Sequence, residues 1–337
     1  MQNGATSNFI RLVVIGGIVF TAAGVAQSPT TKTSVRKHDV NRANPGRTPW
    51  GDPDLQGVYQ SDDFKGVPFE RPVEMGARKY LTDEEYSKRV QNRQKQLQDD
   101  QAPTYSNPKT GNLDQGNFGY WTDRGTPQRQ TSLVIDPPDG RIPYRDGKRP
   151  PVQPRQASAR GTPINSPEDL GLLERCISAG VPGAMIRDNE NNTVRIIQAP
   201  GLVAITYEVM HDTRIIPLDG RAHVSSEIRQ NFGDSRGHWE GDTLVVDVTN
   251  FNDKAKFRGS GPDMRVTERF TRIDTDTLLY QATMDDPATF TRPWTVQLEF
   301  KRTSQQFEYA CHEGNYAMAN MLSGSRADEK RAGDKAK

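Results

Sequence analysis

A mainly β, antiparallel fold is predicted for residues 191–316 on three observations. Short runs with a two-residue alternation follow one another there, turn residues separate them, and no helical periodicity intervenes. The runs are TVRIIQA, LVAITYEV, TRIIPL, AHVSSEIR, RGHWE, TLVVDV, MRVTERFTRI, TLLYQATM, TVQLEF and QFEYACH. Asp219-Gly220, before RAHVSSEIR, suits a type I′ hairpin, and Gly241-Asp242, between GHWE and TLVVDV, suits a type II′ turn. A meander of this length must close or fold over to hide its edges. The expected architecture is therefore a calycin- or lipocalin-like barrel or a curled sandwich, with a helical and loop-rich N-terminal half wrapped around it.

The elements follow in chain order. Arg11 precedes the apolar run LVVIGGIVFTAAGVA, which ends in Gly24-Val25-Ala26 ahead of polar residues. A charged start, an apolar run and a small-residue end read as a secretory signal peptide over 1–26. An uncleaved anchor helix is the alternative, although Gly16, Gly17 and Gly24 make that span short and flexible. Either reading makes the body an exported, periplasmic or secreted protein, with no membrane span once the signal is removed. Residues 27–50 are a polar linker or arm, and 51–190 a loop-rich wrapping segment. Within it, Thr82-Asp83-Glu84-Glu85 is a capping-box pattern followed by straight-chain helix formers, which predicts a solvent-facing helix from about 83 to 99. TSLVID at 131–136 predicts a short strand, and 317–337 read as a polar C-terminal tail.

Composition narrows the function classes. The chain has 337 residues, of which 33% are hydrophobic, below the roughly 45–50% of an average domain, so long polar arms should surround a modest core. Its 44 Lys and Arg against 43 Asp and Glu leave no basic footprint for nucleic acid. No GxGxxG or Walker loop is present, which argues against a nicotinamide or ATP enzyme. HxH, HExxH and CxxC spacings are missing too, so no cofactor is expected and a divalent metal remains a minor alternative.

Candidate chemistry lies on the predicted strands. A two-residue Gly241-Asp242 turn would pair Glu240 with Thr243, Trp239 with Leu244, His238 with Val245 and Arg236 with Asp247. Trp239, Leu244, Val246 and Val248 would then share the core face, and Arg236, His238, Glu240 and Asp247 the other. That second face is either solvated sheet surface or the wall of a polar cavity. In the cavity reading His238 is a general acid or base, and Arg236, oriented by Asp247, holds an anion. Glu208 and His211, three residues apart at a strand end, form a second candidate acid/base pair, with an ordinary turn histidine as the alternative. His223 and Arg221 around the Asp219-Gly220 turn, His312 after Cys311, and the loop pair Tyr120-Trp121 are candidate substrate-binding residues. Cys176 and Cys311 can close a disulfide in an oxidising compartment, or Cys311 beside His312 and Glu313 can be a nucleophile.

WGDPDLQGVY, SLVIDPPDGRIP, RCISAGVP, RIIPLDGR, GDSRGHWEGDTLVVDVTNF and EYACHEGNY resemble the signature strings of a large uncharacterised family of exported bacterial proteins, over nearly the whole mature chain. The resemblance implies export and a set of candidate positions, but no mechanism. Because Cys176 and Cys311 both fall inside such strings, it also favours a Cys176–Cys311 disulfide.

Three functions fit these observations. The first is acid/base chemistry on a small or oligomeric organic substrate, of hydrolase, lyase or isomerase type. The second is a non-catalytic, lipocalin-like small-molecule-binding protein, and the third an envelope interaction protein. Convergence of the histidines with Arg236 around a cavity would favour the first, and their dispersion the others.

Overall fold

Buried and less buried residues alternate along most of the ten strands, as in Thr193–Ala199, Leu202–Tyr207, Thr277–Asp285 and Trp294–Thr303. In a computed structural model of the chain, the described residues are 46–61, 64, 66–100, 125–147, 164–186 and 192–335. The strands are β1 (Gly57–Gln60), β2 (Val134–Asp136), β3 (Thr193–Ala199), β4 (Leu202–Tyr207), β5 (Thr213–Pro217), β6 (Asp234–Glu240), β7 (Thr243–Thr249), β8 (Arg265–Arg272), β9 (Thr277–Asp285) and β10 (Trp294–Thr303). They form one antiparallel ten-stranded sheet in the order β5-β4-β3-β1-β10-β9-β8-β7-β6, with β2 paired to β10 beside that path.

The sheet curls on itself until its two edge strands meet. Gly237 in β6 marks the seam: a Cβ there would come within 2.8 Å of Ile216 in β5 and 2.6 Å of Leu218 just beyond it. Only a residue without a side chain leaves room for the Ile216 and Leu218 side chains to pack onto the β6 backbone there. Among the described residues no hydrogen-bond ladder joins β5 to β6, so the architecture is a curled sheet rather than a fully bonded barrel. Its concave face is the core. Val246, Val266, Phe270, Tyr280, Leu298 and Phe300 are all fully buried there, and the Phe270, Tyr280 and Phe300 rings lie 5.1–6.1 Å apart along the lining.

The N-terminal half seals the outside of β10. Helix α1 (Asp83–Asp100) begins with the predicted capping box, in which Glu85 N–H donates to Thr82 Oγ1 (3.3 Å) and Thr82 N–H to Glu85 Oε2 (2.8 Å). Arg89 on α1 donates to the carbonyls of Gln128 and Gln130 at 2.7 Å. Those glutamines in turn donate to the Glu299 and Gln297 carbonyls of β10. Most of α1 is exposed, as its sparse apolar residues require.

Two expected strands are not formed, each for a visible reason. Around AHVSSEIR (222–229) side chains satisfy the backbone groups that a ladder would have used. Val224 N–H donates to Asp234 Oδ2 (3.2 Å), and Asn250 Nδ2 donates to the carbonyls of Val224 (3.0 Å) and Ser225 (3.1 Å). The Asp219-Gly220 hairpin is therefore absent: Arg221 turns back onto Asp219, and residues 218–233 cross the sheet as an irregular loop. QFEYACH is likewise not a strand, because Cys311 is bonded to Cys176 with Cα atoms 5.8 Å apart, and the chain turns at 311–314. This disulfide spans 135 residues of sequence, enough to stabilise the fold by about 5 kcal/mol in the chain-entropy limit. It also leaves Cys311 with no thiol, which removes the nucleophile reading. The segment expected to be a polar tail is largely helix α2 (Ala317–Lys335), whose Arg326 donates to the Ile164 carbonyl at 2.7 Å.

Candidate functional site

The β6–β7 hairpin has the predicted register, with Arg236 opposite Asp247 and His238 opposite Val245. The side chains nevertheless choose other partners. Arg236 Nη1 pairs with Asp234 Oδ1 at 2.9 Å, and its Nε donates to the Ala222 carbonyl at 3.0 Å. Asp247 is engaged instead by His223 Nε2 at 3.1 Å and Arg265 Nε at 3.4 Å. Asp234 lies two residues away on the same strand face and its carboxylate is almost fully buried, and it takes the guanidinium.

His223 is the centre of this outer cluster. Its Nδ1 lies 2.7 Å from Asp234 Oδ2 and its Nε2 3.1 Å from Asp247 Oδ2. Both ring nitrogens thus face carboxylates of the protein itself. The place of His223 in the loop makes it a clasp that pins residues 218–233 across β6 and β7.

The remaining imidazoles are scattered. His238 is 60% exposed on the outer face of β6, with Nε2 3.3 Å from Glu240 Oε1. His211 is exposed in the turn between β4 and β5, and its N–H donates to the Glu208 carbonyl at 3.1 Å. The Glu208 side chain is buried and accepts from Thr193 Oγ1, while His211 reaches Glu208 through its backbone N–H. His312 is exposed in the turn after Cys311. Arg221 is exposed and closed onto Asp219. Among the described residues no hydrogen bond joins one imidazole to another, and no group of three metal-ligating side chains forms. Tyr120 and Trp121 lie outside the described residues, as do the signal segment and His38.

The concave face holds a different set of polar groups. Arg214 of β5 and Glu268 of β8 form a buried pair, Nη1 to Oε2 at 2.6 Å, with side chains 3% and 0% exposed. Tyr280 of β9 donates to Glu268 Oε1 at 2.9 Å, and Tyr207 of β4 lies close enough to couple electrostatically with both charges. Burial, reinforced by Glu268, pushes the Tyr280 phenol well above its ordinary value. Burial alone would lower the Arg214 guanidinium, but Glu268 and Tyr207 outweigh it and hold the group charged.

Several of these buried atoms have no hydrogen-bond partner among the described residues. They are Arg214 Nε and Nη2, Tyr207 Oη, Asp212 Oδ2, Ser235 Oγ and Trp239 Nε1. Such a concentration is unusual, since the great majority of buried polar groups are bonded. Asp212 adjoins this set: burial pushes its carboxyl up to about 6, opposed by the Ser178 hydroxyl that donates to it.

A cleft of about 610 Å³ opens where β5 meets the chain entering β6. Its lining includes Arg214 and Ile215 from β5, Arg229 to Phe232 from the clasped loop, Gly233 to Ser235, and Asn252. Phe232 lines the cleft, and its ring is stacked on Tyr207 with centroids 5.6 Å apart and planes 18° from parallel. Arg214 and Ser235 thus belong both to the cleft wall and to the set of unpartnered buried donors. The size suits a small molecule.

Sequence reading missed these inner residues, although the alternation carried a signal for them. In RVTERF, Val266, Glu268 and Phe270 share a face, and in TRIIP, Arg214 shares one with Ile216. A charge between apolar neighbours at a two-residue spacing is a charge pointing into the core.

No family model matches the chain, and no curated protein matches it. Among solved structures, a secretory abundant heat soluble (SAHS) protein from Ramazzottius varieornatus aligns at 10% identity and a TM-score of 0.22, over 33% of this chain and 70% of that one. A variant of the fluorescent protein UnaG aligns at 14% identity and a TM-score of 0.22, over 40% of this chain and 86% of its own. Among the described residues no helix is long and apolar enough to cross a membrane.

Proposed function

We propose that this is an exported, non-catalytic protein that binds a small organic molecule in the cleft between β5 and the 229–235 segment. One observation carries the reading: the cleft is walled by Arg214 and Ser235, two residues with buried donors that lack partners among the described residues. A buried unpaired donor costs about 1–3 kcal/mol, and a ligand oxygen reaching it offsets that cost. The acid/base reading has no comparable support, because the imidazoles are dispersed and His223 has both nitrogens engaged.

Ile215 gives a clean test, since it lines the cleft yet is 51% exposed and so contributes little to the core. Nile red, a neutral fluorophore, should bind the wild-type protein at one site, and Ile215→Trp, which fills the cleft mouth, should weaken that binding at least tenfold. Unchanged binding in the variant would place the ligand elsewhere and end the reading.

A further inference from the structure

We infer that the cleft ligand is a carboxylate, gripped by the free edge of the Arg214 guanidinium, with an apolar body resting against Phe232 and Ile215. This rests on the binding reading above and names its ligand class.

Glu268 takes Nη1, the amino group on the Cδ side. The two nitrogens left over, Nε and Nη2, form the opposite edge of the plane, from which two N–H bonds run parallel. That edge matches the two oxygens of a carboxylate and can bind them bidentately, whereas a single carbonyl oxygen engages it less fully. A guanidinium keeps its charge at any working pH and its fork is rigid, so the edge is preorganised.

The neighbours add donors rather than competitors. Ser235 Oγ, on β6 across the seam, is buried in the same wall with no partner among the described residues. That hydroxyl can donate to an anion. Glu268, the one carboxylate already on Arg214, has part of its charge taken up by the Tyr280 hydroxyl, so Arg214 can bridge two carboxylates. The other charges near the mouth are spoken for: Arg229 by Asp263 at 2.9 Å, and Asp234 by Arg236 and His223. Asp234 also lines the cleft and would repel a second negative charge, which favours a monoanion. Phe232 and Ile215 supply the apolar surface for the rest of the molecule.

The test compares isosteres. Benzoate and benzamide, and hexanoate and hexanamide, are titrated calorimetrically into the wild-type protein, Ser235→Ala and Ile215→Trp, while the Arg214 Nε–H resonance is followed by NMR. The inference expects each carboxylate to bind at least tenfold more tightly than its amide, to shift the Arg214 Nε–H signal, and to lose several-fold affinity in Ser235→Ala. Equal binding of acid and amide, or no carboxylate binding at millimolar concentration, would overturn the ligand class while leaving the Nile red result intact. Carboxylate binding undiminished in Ile215→Trp would instead mean that the cleft itself is misassigned. The Arg214 resonance keeps the question answerable without replacing Arg214, whose loss threatens the fold.

Discussion

The two faces of one sheet handle charge in opposite ways. On the outer face of β6 to β8 there are many ionisable groups, and each is answered: Asp234 by His223 and Arg236, Asp247 by His223 and Arg265, Glu240 by His238 and Arg269. On the inner face there are few, and they are incompletely answered: Arg214 has one partner, while Tyr207 and Ser235 hydroxyls have none among the described residues. Outside, water screens the Glu240–His238, Glu240–Arg269 and Asp247–Arg265 pairs, each worth little, while the half-buried His223–Asp234–Arg236 group is screened less but fully paired. Inside, every missing partner carries the desolvation cost of the group. Function is therefore sought where the chemistry is sparse and unsatisfied rather than where it is abundant.

The largest effect is expected from removing one member of the inner pair. Arg214→Met leaves Glu268 charged and fully buried beside Tyr280 alone, and should destabilise the protein by about 3–5 kcal/mol. Adding Glu268→Leu removes the orphaned charge and should recover at least half of that loss. Urea midpoints of the single and double variants measure both effects. A single variant within 1 kcal/mol of wild type would mean that water reaches the pair, and the contrast between faces would vanish.

The outer clasp gives an intermediate effect. His223→Ala frees Asp247 to solvent and leaves Asp234 with Arg236 and the Val224 N–H, so about 1–3 kcal/mol is expected. Hydrogen exchange should show the loss locally, with 218–233 exchanging faster and the β8–β9 ladder unchanged. Uniform acceleration across the sheet would show that the loop is integral to the core.

How much of this was legible in the sequence follows from the same contrast. Local rules found the Thr82 capping box, the β6–β7 register and most of the strands, because turn residues and alternation act between neighbours in sequence. They failed at 222–229, whose alternation was sound but whose backbone groups were claimed by Asp234 and Asn250 from other elements. They failed for the site in a related way. Pairing Arg236 with Asp247 was right for the backbone and wrong for the side chains, since His223 arrives from a loop that register says nothing about. Glu268 and Arg214 are 54 residues apart, and only closure of the sheet brings them together.

Asp212 sharpens the comparison through pH. Burial raises its folded value to about 6, above the ordinary carboxylate range of about 4, so the folded state holds the proton more tightly than the unfolded one. The stability this proton confers is fully present below about pH 4 and is lost as pH rises through about 6. Asp212 is only partly buried, and screening limits the difference to about 1 kcal/mol. Asp212→Asn should flatten the urea midpoint between pH 4 and pH 7 relative to wild type. An unaltered slope would assign the pH dependence to other groups.

The smallest expected effect belongs to His238, the residue that the hairpin register alone would have made a general acid or base. Its imidazole is 60% exposed and among the described residues forms its hydrogen bond with Glu240, itself held by Arg269 at 2.8 Å. Removing the ring breaks one long contact between solvated groups and exposes nothing. His238→Ala should therefore leave stability within about 0.5 kcal/mol of wild type and leave both Nile red and benzoate affinities unchanged. The measurement discriminates because the same substitution would be costly if the outer face lined the site. A tenfold loss of ligand affinity in His238→Ala would reverse the comparison, moving the ligand from the concave face with its few unsatisfied donors to the convex face with its many paired ones.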